Sequence, residues 1–189
     1  MSKNNEVLQT IKSRYSCRGY TGELVDKELL QAIGEAALAS PSSRNTQHWR
    51  VIIINNKALM DEMNDAAMAV LKADPDQSTY ERIMERGGRI YYNAPCMVLV
   101  LKTPDAHDEA PLDCGILAQS VALAAQSLGL GNVIARMCET AFVSDRGEEF
   151  KQRVGWEAGY TFGIGILIGY PDNKKDPHEL EHDKLRFVE

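Results

Sequence analysis

Arg14, Ser16 and Arg18 alternate along "SRYSCRGYTG", with Tyr15 and Cys17 between them. In an extended chain alternate side chains project to one side, and in a helix Arg14 and Arg18 align at i and i+4. Either way the two guanidiniums share a side, and in the extended chain the Ser16 hydroxyl joins them. Guanidinium forks bind phosphate oxygens through paired N–H donors, so this spacing suits a phosphate ester. The competing reading is that these cations complement the negative C-terminal end of a helix just before them. The residues by themselves leave both readings open.

A second cluster, "SPSSRNTQHWR", sets Ser42, Ser43, Asn45, Thr46 and Gln47 directly ahead of the apolar run "WRVIII". A plain connector needs one or two turn residues. As such a connector, Pro41 would end a helix and the serines and asparagine would bond local backbone. As a binding element, the stretch would be a polar lip that hydrogen-bonds a flat heteroaromatic ligand. A third set, Lys184 and Arg186 near the C-terminus, reads in isolation as solvated charge.

Several signatures are missing. "GIGILIG" has its glycines in the wrong register for a dinucleotide loop and lies within a strand-like run. There is no Walker A loop and no G-x-S-x-G elbow, which points away from a Rossmann dehydrogenase, a P-loop enzyme and an α/β-hydrolase. Cys17, Cys96, Cys114 and Cys138 form no C-x-x-C pair, and the four histidines are scattered, so no metal site is expected. Cys96 and Cys114 lie in apolar stretches as small buried hydrophobes. His107, His178 and His182 fall in polar segments and are expected to face solvent.

The elements that must position these residues alternate along a chain of 189 residues, the size of one domain. Val7, Leu8 and Ile11 have helical spacing. Asp26 is placed to cap a helix carrying Leu29, Leu30, Ile33 and Ala37, with Glu28 in its first turn. Met60, Met63, Ala67 and Val70 mark a further helix after "WRVIII", broken by "ADPDQ". "TYERIMERGGRIYY" reads as a helix ending near Gly87-Gly88, and "APCMVLVL" as a buried strand. "LDCGILAQSVALAAQSLGLG" is apolar or small on nearly every side, which places it in a large core or a subunit interface. Gly129 or Gly131 ends it. "NVIA" and "TFGIGILIGYP" read as strands around a short helix in "DRGEEFKQRVG". From Pro171 the chain turns polar, and "KLRFV" regains the alternation of a pairing strand. The class is α/β or α+β.

A net charge of −6 argues against a nucleic-acid or anionic-membrane partner, since both need a concentrated basic surface. No run reaches the roughly 20 apolar residues of a membrane span, and "MSKNNEVLQT" lacks a signal-peptide core, so the expected location is cytoplasmic.

Taken in order, "RYSCRGY", "SPSSRNTQHW", "NAP" before an apolar strand, the Ala-rich helix running into "SLGLG", and "GYP" after the last core strand resemble the nitroreductase family of FMN-dependent NAD(P)H oxidoreductases. The resemblance spans nearly the whole chain. It implies an α+β fold with a mixed, mostly antiparallel sheet flanked by helices, in an intertwined homodimer with an exchanged C-terminal arm. Residues 1–170 would form the FMN-binding domain and 171–189 the arm on the partner.

The resemblance further implies that Arg14, Tyr15, Ser16 and Arg18 hold the phosphate and ribityl end of FMN. Pro41, Ser42, Ser43 and Asn45 of the other subunit would line the ring. Lys184 and Arg186 match a basic-x-basic pair near the phosphate. His48 stands where relatives commonly have proline, and Ala135-Arg136-Met137 where many have small residues or Glu-Gly, so Arg136 and Met137 would border the flavin. The implied reaction is ping-pong electron transfer from NAD(P)H to a small acceptor such as a nitroaromatic or quinone, with no side chain needed as nucleophile or base. Two alternatives from other classes are a flavin carrier or redox sensor without efficient turnover, and a cofactor-free acidic interaction module.

Overall fold

A computed structural model describes residues 5–188. Six α-helices and four strands follow in the order α1 (Glu6–Ser13), α2 (Lys27–Leu38), β1 (Trp49–Asn55), α3 (Lys57–Ala73), α4 (Ser78–Met84), β2 (Cys96–Lys102), α5 (Ala110–Ser127), β3 (Gly131–Ala135), α6 (Gly147–Val154) and β4 (Thr161–Gly169). The strands form one sheet in the order β1-β2-β4-β3. Every ladder is antiparallel, with Val51 opposite Val100, Val98 opposite Ile166 and Val133 opposite Leu167. The expected mixed character is confined, among the described residues, to an isolated parallel bridge between Ser16 and Asn132.

The sequence of β2 explains its central place. Six of its seven residues are buried, because both faces of the sheet are covered. Strand alternation sends Cys96, Val98 and Val100 into a core shared with Ile33, Leu117 and Val121 of α2 and α5. Met97, Leu99 and Leu101 point the other way, onto Met60 and Met63 of α3. The expected α+β layers are therefore present.

Local chemistry fixes the helix ends. Asn5 and Asn56 cap α1 and α3, their side-chain oxygens accepting from Leu8 N–H at 2.9 Å and Leu59 N–H at 3.0 Å. Asp26 occupies the N-cap position of α2 but makes no capping bond; its carboxylate accepts from the Tyr170 hydroxyl at 3.1 Å instead. Gly129, at φ +78°, ends α5. Leu130 N–H donates to Ala125 O and Gly129 N–H to Gln126 O, the paired bonds of a left-handed helix stop.

The structure departs from expectation at three elements. Helix α4 stops at Met84, before Gly87 and Gly88, both of which adopt positive φ. Helix α5 buries one face only: Ala118, Val121 and Ala125 are enclosed, while Leu112 and Ile116 are exposed in the single chain. The tail from Pro171 first follows its own chain, through a Tyr20–Pro171 bridge and Asp172 N–H to Gly19 O. Residues 185–188 lie exposed and unpaired.

All four cysteines are buried and free. Burial pushes the Cys96 thiol up to about 12 and the Cys114 thiol up to about 11, which keeps both in the unreactive protonated form. Among the described residues there is no cluster able to hold a metal ion, and no helix long and apolar enough to cross a membrane.

Candidate functional site

Arg14 takes an extended conformation (φ −63°, ψ 131°) as α1 ends, and the chain runs on beside the free edge of β3. Cys17 N–H donates to Asn132 O at 2.9 Å, next to the Ser16–Asn132 bridge. Alternation then divides the segment as its spacing predicts. Cys17 is buried, and Arg14, Ser16 and Arg18 line a cavity of about 240 Å³ together with Tyr15. Neither arginine forms an ion pair among the described residues, so their donors are not spent on the protein's own carboxylates. Arg18 Nη1 reaches only Ser16 O, at 3.4 Å.

The tail completes this cradle. Tyr15 donates its hydroxyl to Asn173 O at 2.9 Å, and Lys175, Asp176 and His178 line the same cavity. Lys175 and His178 went unnoticed in the sequence; the basic run "NKKDPH" was the available signal. Lys184 and Arg186 are not gathered there in the single chain. Both are exposed, and Lys184 pairs with Glu181 at 2.7 Å. One more group stands out nearby: Asn132 is fully buried, and neither side-chain polar atom has a partner.

The lip from Pro41 to Gln47 forms a short 3-10 turn over Ser43–Asn45, with Arg44, Asn45 and Gln47 all at positive φ. Ser42 Oγ accepts from Gln47 N–H at 3.0 Å, and Asn45 Oδ1 from Gln47 Nε2 at 2.9 Å. Local bonding, one of the two readings of this stretch, is thus present. The Ser43 hydroxyl and Asn45 Nδ2 nevertheless keep donors with no protein partner among the described residues. The lip is anchored to α5, where Ser43 N–H donates to Asp113 Oδ1 at 3.1 Å. His107, expected to face solvent, sits instead in this anchor, its Nε2 3.0 Å from Thr46 Oγ1. Its ring also lies 3.0 Å from Glu109 Oε2 and 3.8 Å from Asp113 Oδ2.

Arg136 and Met137 follow directly on β3 and border a cavity of about 400 Å³ with Glu139, Thr140 and Val143. Arg136 is exposed and pairs with Glu139 at 3.1 Å. The turn that carries them lies close on the sheet because Gly165 opposes it: a Cβ there would stand 2.4 Å from Cys138 Cβ. That close approach explains the glycines of "GIGILIG", which serve packing.

Two distances organise these groups. From Asn132, beside Ser16, to Arg136 is four strand residues, about 13 Å. The lip is tied to Asp113, whereas Ser13, next to Arg14, accepts from Gln126 Nε2 at 3.4 Å. Those two points on α5 are about 20 Å apart at 1.5 Å per residue. The cradle and the Arg136 turn therefore share one edge of the chain, and the lip lies at the far end of α5.

The fold and these groups define an antiparallel α+β protein with a cationic cradle on the free edge of its sheet. A model of the nitroreductase family matches residues 11–170, and the chain belongs to that family. It is accordingly an oxidoreductase. The structure is similar to a nitroreductase with bound FMN from Desulfitobacterium hafniense, with a TM-score of 0.93 and 49% identity over 98% of this chain and 100% of that one. A nitroreductase with bound FMN from Bacteroides fragilis gives a TM-score of 0.84 at 25% identity, covering 98% and 100%. In sequence, the FMN reductase [NAD(P)H] of Bacillus subtilis is 28% identical over 90% of this chain and 68% of its own length.

Proposed function

We propose that the chain is an FMN-dependent NAD(P)H oxidoreductase whose flavin sites are each built from two copies of the chain. The donor set fits the cofactor. Arg14, Ser16 and Arg18 offer cationic and hydroxyl donors to a phosphate, with Tyr15 beside them and Lys175 and His178 closing the cavity from the tail. The Arg136 turn lies about 13 Å further along β3, the scale of a flavin from its phosphate to its ring. FMN bound there would supply the hydride chemistry that couples NAD(P)H to a small acceptor such as a nitroaromatic or quinone. The chain's own part is to hold the phosphate, border the ring through Arg136 and Met137, and offer Pro41, Ser42, Ser43 and Asn45 as a polar lip.

The observation that carries the two-copy reading is the separation along α5. The anchor points of lip and cradle lie about 20 Å apart on α5, which favours a lip and a cradle that serve different rings within one chain. The lip of a second copy would then meet the cradle's ring, and α5 presents Leu112 and Ile116 for such a contact. The residue-171–189 arm has a place in the same assembly. Strand β1 is an edge with unpaired backbone groups, and a cavity of about 710 Å³ beside it is lined by Leu30, Leu38, Trp49, Val51 and Ile53. Leu185 and Phe187 of another copy, two residues apart, offer an alternating apolar strand to that edge, and this exchange would bring Lys184 and Arg186 to a phosphate.

The visible spectrum of the purified protein is the first test, followed by anaerobic titration with NADH and NADPH. A flavin spectrum that bleaches with one nicotinamide and recovers on adding a quinone is the expected result. A colourless protein that takes up no FMN would overturn the reading.

A further inference from the structure

The lip's conformation is costly by itself. Non-glycine residues in the left-handed region are strained and persist only where their surroundings over-determine them. Arg44, Asn45 and Gln47 are three such residues within four positions. What determines them comes from a distant part of the sequence, the first turn of α5 and the segment before it.

Asp113 is almost fully buried, with one carboxylate oxygen accepting from Ser43 N–H at 3.1 Å. Its other oxygen, Oδ2, is buried without a hydrogen-bond partner and lies 3.8 Å from His107 Nε2. Thr46 Oγ1 donates its only hydrogen to Ser43 O at 3.0 Å. That oxygen is left to accept from His107 Nε2, 3.0 Å away, while His107 Nδ1 lies 3.0 Å from Glu109 Oε2. His48 packs edge-on against the His107 ring, centroids 4.9 Å apart, and is itself held by Thr103 Oγ1 at 3.1 Å. The carboxylate grips the lip at Ser43 and the imidazole grips it at Thr46, on either side of the two strained residues Arg44 and Asn45.

We propose that Asp113 and His107 are positioning residues for the flavin lip, a buried carboxylate–imidazole clamp that holds the turn carrying Ser42, Ser43 and Asn45 ready for its ligand. The clamp rests on the reading of this lip as a flavin contact, but the ordering it imposes is a property of the flavin-free chain. Preorganisation of this kind raises affinity by removing the ordering cost from the binding step. It also accounts for a buried acid that touches no reacting group.

Two measurements separate the clamp from the flavin reading. The first is amide hydrogen exchange of Ser43 to Gln47 in flavin-free protein, for wild type, Asp113→Ala and Asp113→Asn. Loss of a buried hydrogen bond predicts exchange roughly tenfold or more faster in Asp113→Ala. Asp113→Asn, whose amide oxygen still accepts from Ser43 N–H, should return near wild type. Should Asp113→Ala fail to fold, Thr46→Val and His107→Gln probe the other jaw, with loss expected in the first and retention in the second. The second measurement is FMN titration of the same variants, where affinity should follow lip protection. Lip exchange unchanged in both Asp113→Ala and Thr46→Val would overturn the clamp. Altered lip exchange with unchanged FMN affinity would leave the clamp standing and sink the flavin role of the lip.

Discussion

Arg18 is exposed in the flavin-free chain and makes only a long contact to Ser16 O. Its side chain is therefore available, and its contribution appears on binding. Removing one partner of a charge pair that becomes desolvated in a complex costs about 2–5 kcal/mol, so Arg18→Ala should weaken FMN at least tenfold. Equilibrium titration reads this directly, and affinity within twofold of wild type would remove Arg18 from the cradle. The arginine-serine-arginine grouping was legible in sequence because alternation in an extended segment depends on nothing distant. Lys175 and His178 were not, because the turn at Pro171 and the Asp172–Gly19 bond bring them over Arg14. The Asp113–Ser43 bond was hidden for the same reason, its partners being 70 residues apart.

At the scale of elements, α3 and α6 are fastened to each other by an ion network. Glu62 of α3 accepts from Arg146 at 2.6 Å and from Arg153 at 2.7 Å, and Glu149 of α6 shares both arginines. Hydrogen bonds from Arg153 and Arg146 hold the Glu62 carboxyl down from its ordinary 4.5 to about 2. A carboxyl lowered on folding stabilises the protein above its unfolded-state value, and that contribution fades as pH falls through the folded value. Glu62→Gln should thus lower the melting temperature at pH 7, with the gap to wild type closing between about pH 4.5 and about 2. Exposed pairs are individually weak, so the shift should be modest. Thermal melts of the two proteins across that range check it, and a gap that stayed constant with pH would assign the effect to packing. Strands β2 and β4 were readable as continuous apolar runs, since both faces of the sheet are covered, and most helices from apolar periodicity. Helix α4 was read too, with its end placed near Gly87 and Gly88, though it stops at Met84, and Ile90 and Tyr91 beyond the glycines are core residues of a loop. The anchoring of His107 was invisible, its neighbours in sequence being polar.

At the scale of the whole molecule, the single chain leaves three features incomplete: an exposed apolar stripe on α5, an open edge at β1, and a lip remote from the cradle. One two-fold assembly would resolve all three, and it makes a prediction that no single-chain site can match. Arg18→Ala damages the cradle, and Asn45→Gly removes the lip side chain while keeping a residue that tolerates the positive φ. Each homodimer should hold FMN poorly. In a mixed dimer with one mutation per chain, a shared site gathers both lesions into one half and leaves the other half wild type. Sedimentation should give twice the 21.0 kDa chain mass. The purified mixed dimer should bind one FMN per pair of chains with wild-type affinity, and that site should turn over with NAD(P)H. The recovered flavin also stabilises the assembly, by about 2.7 kcal/mol when free FMN is 100-fold above its dissociation constant, so melting should rise with added FMN. If cradle and lip served one site within a chain, each half of the mixed dimer would carry one lesion and no tight site would return. Absence of that recovered site would refute the cross-chain assignment while leaving the cradle's own affinity for phosphate to be read from the Arg18 titration.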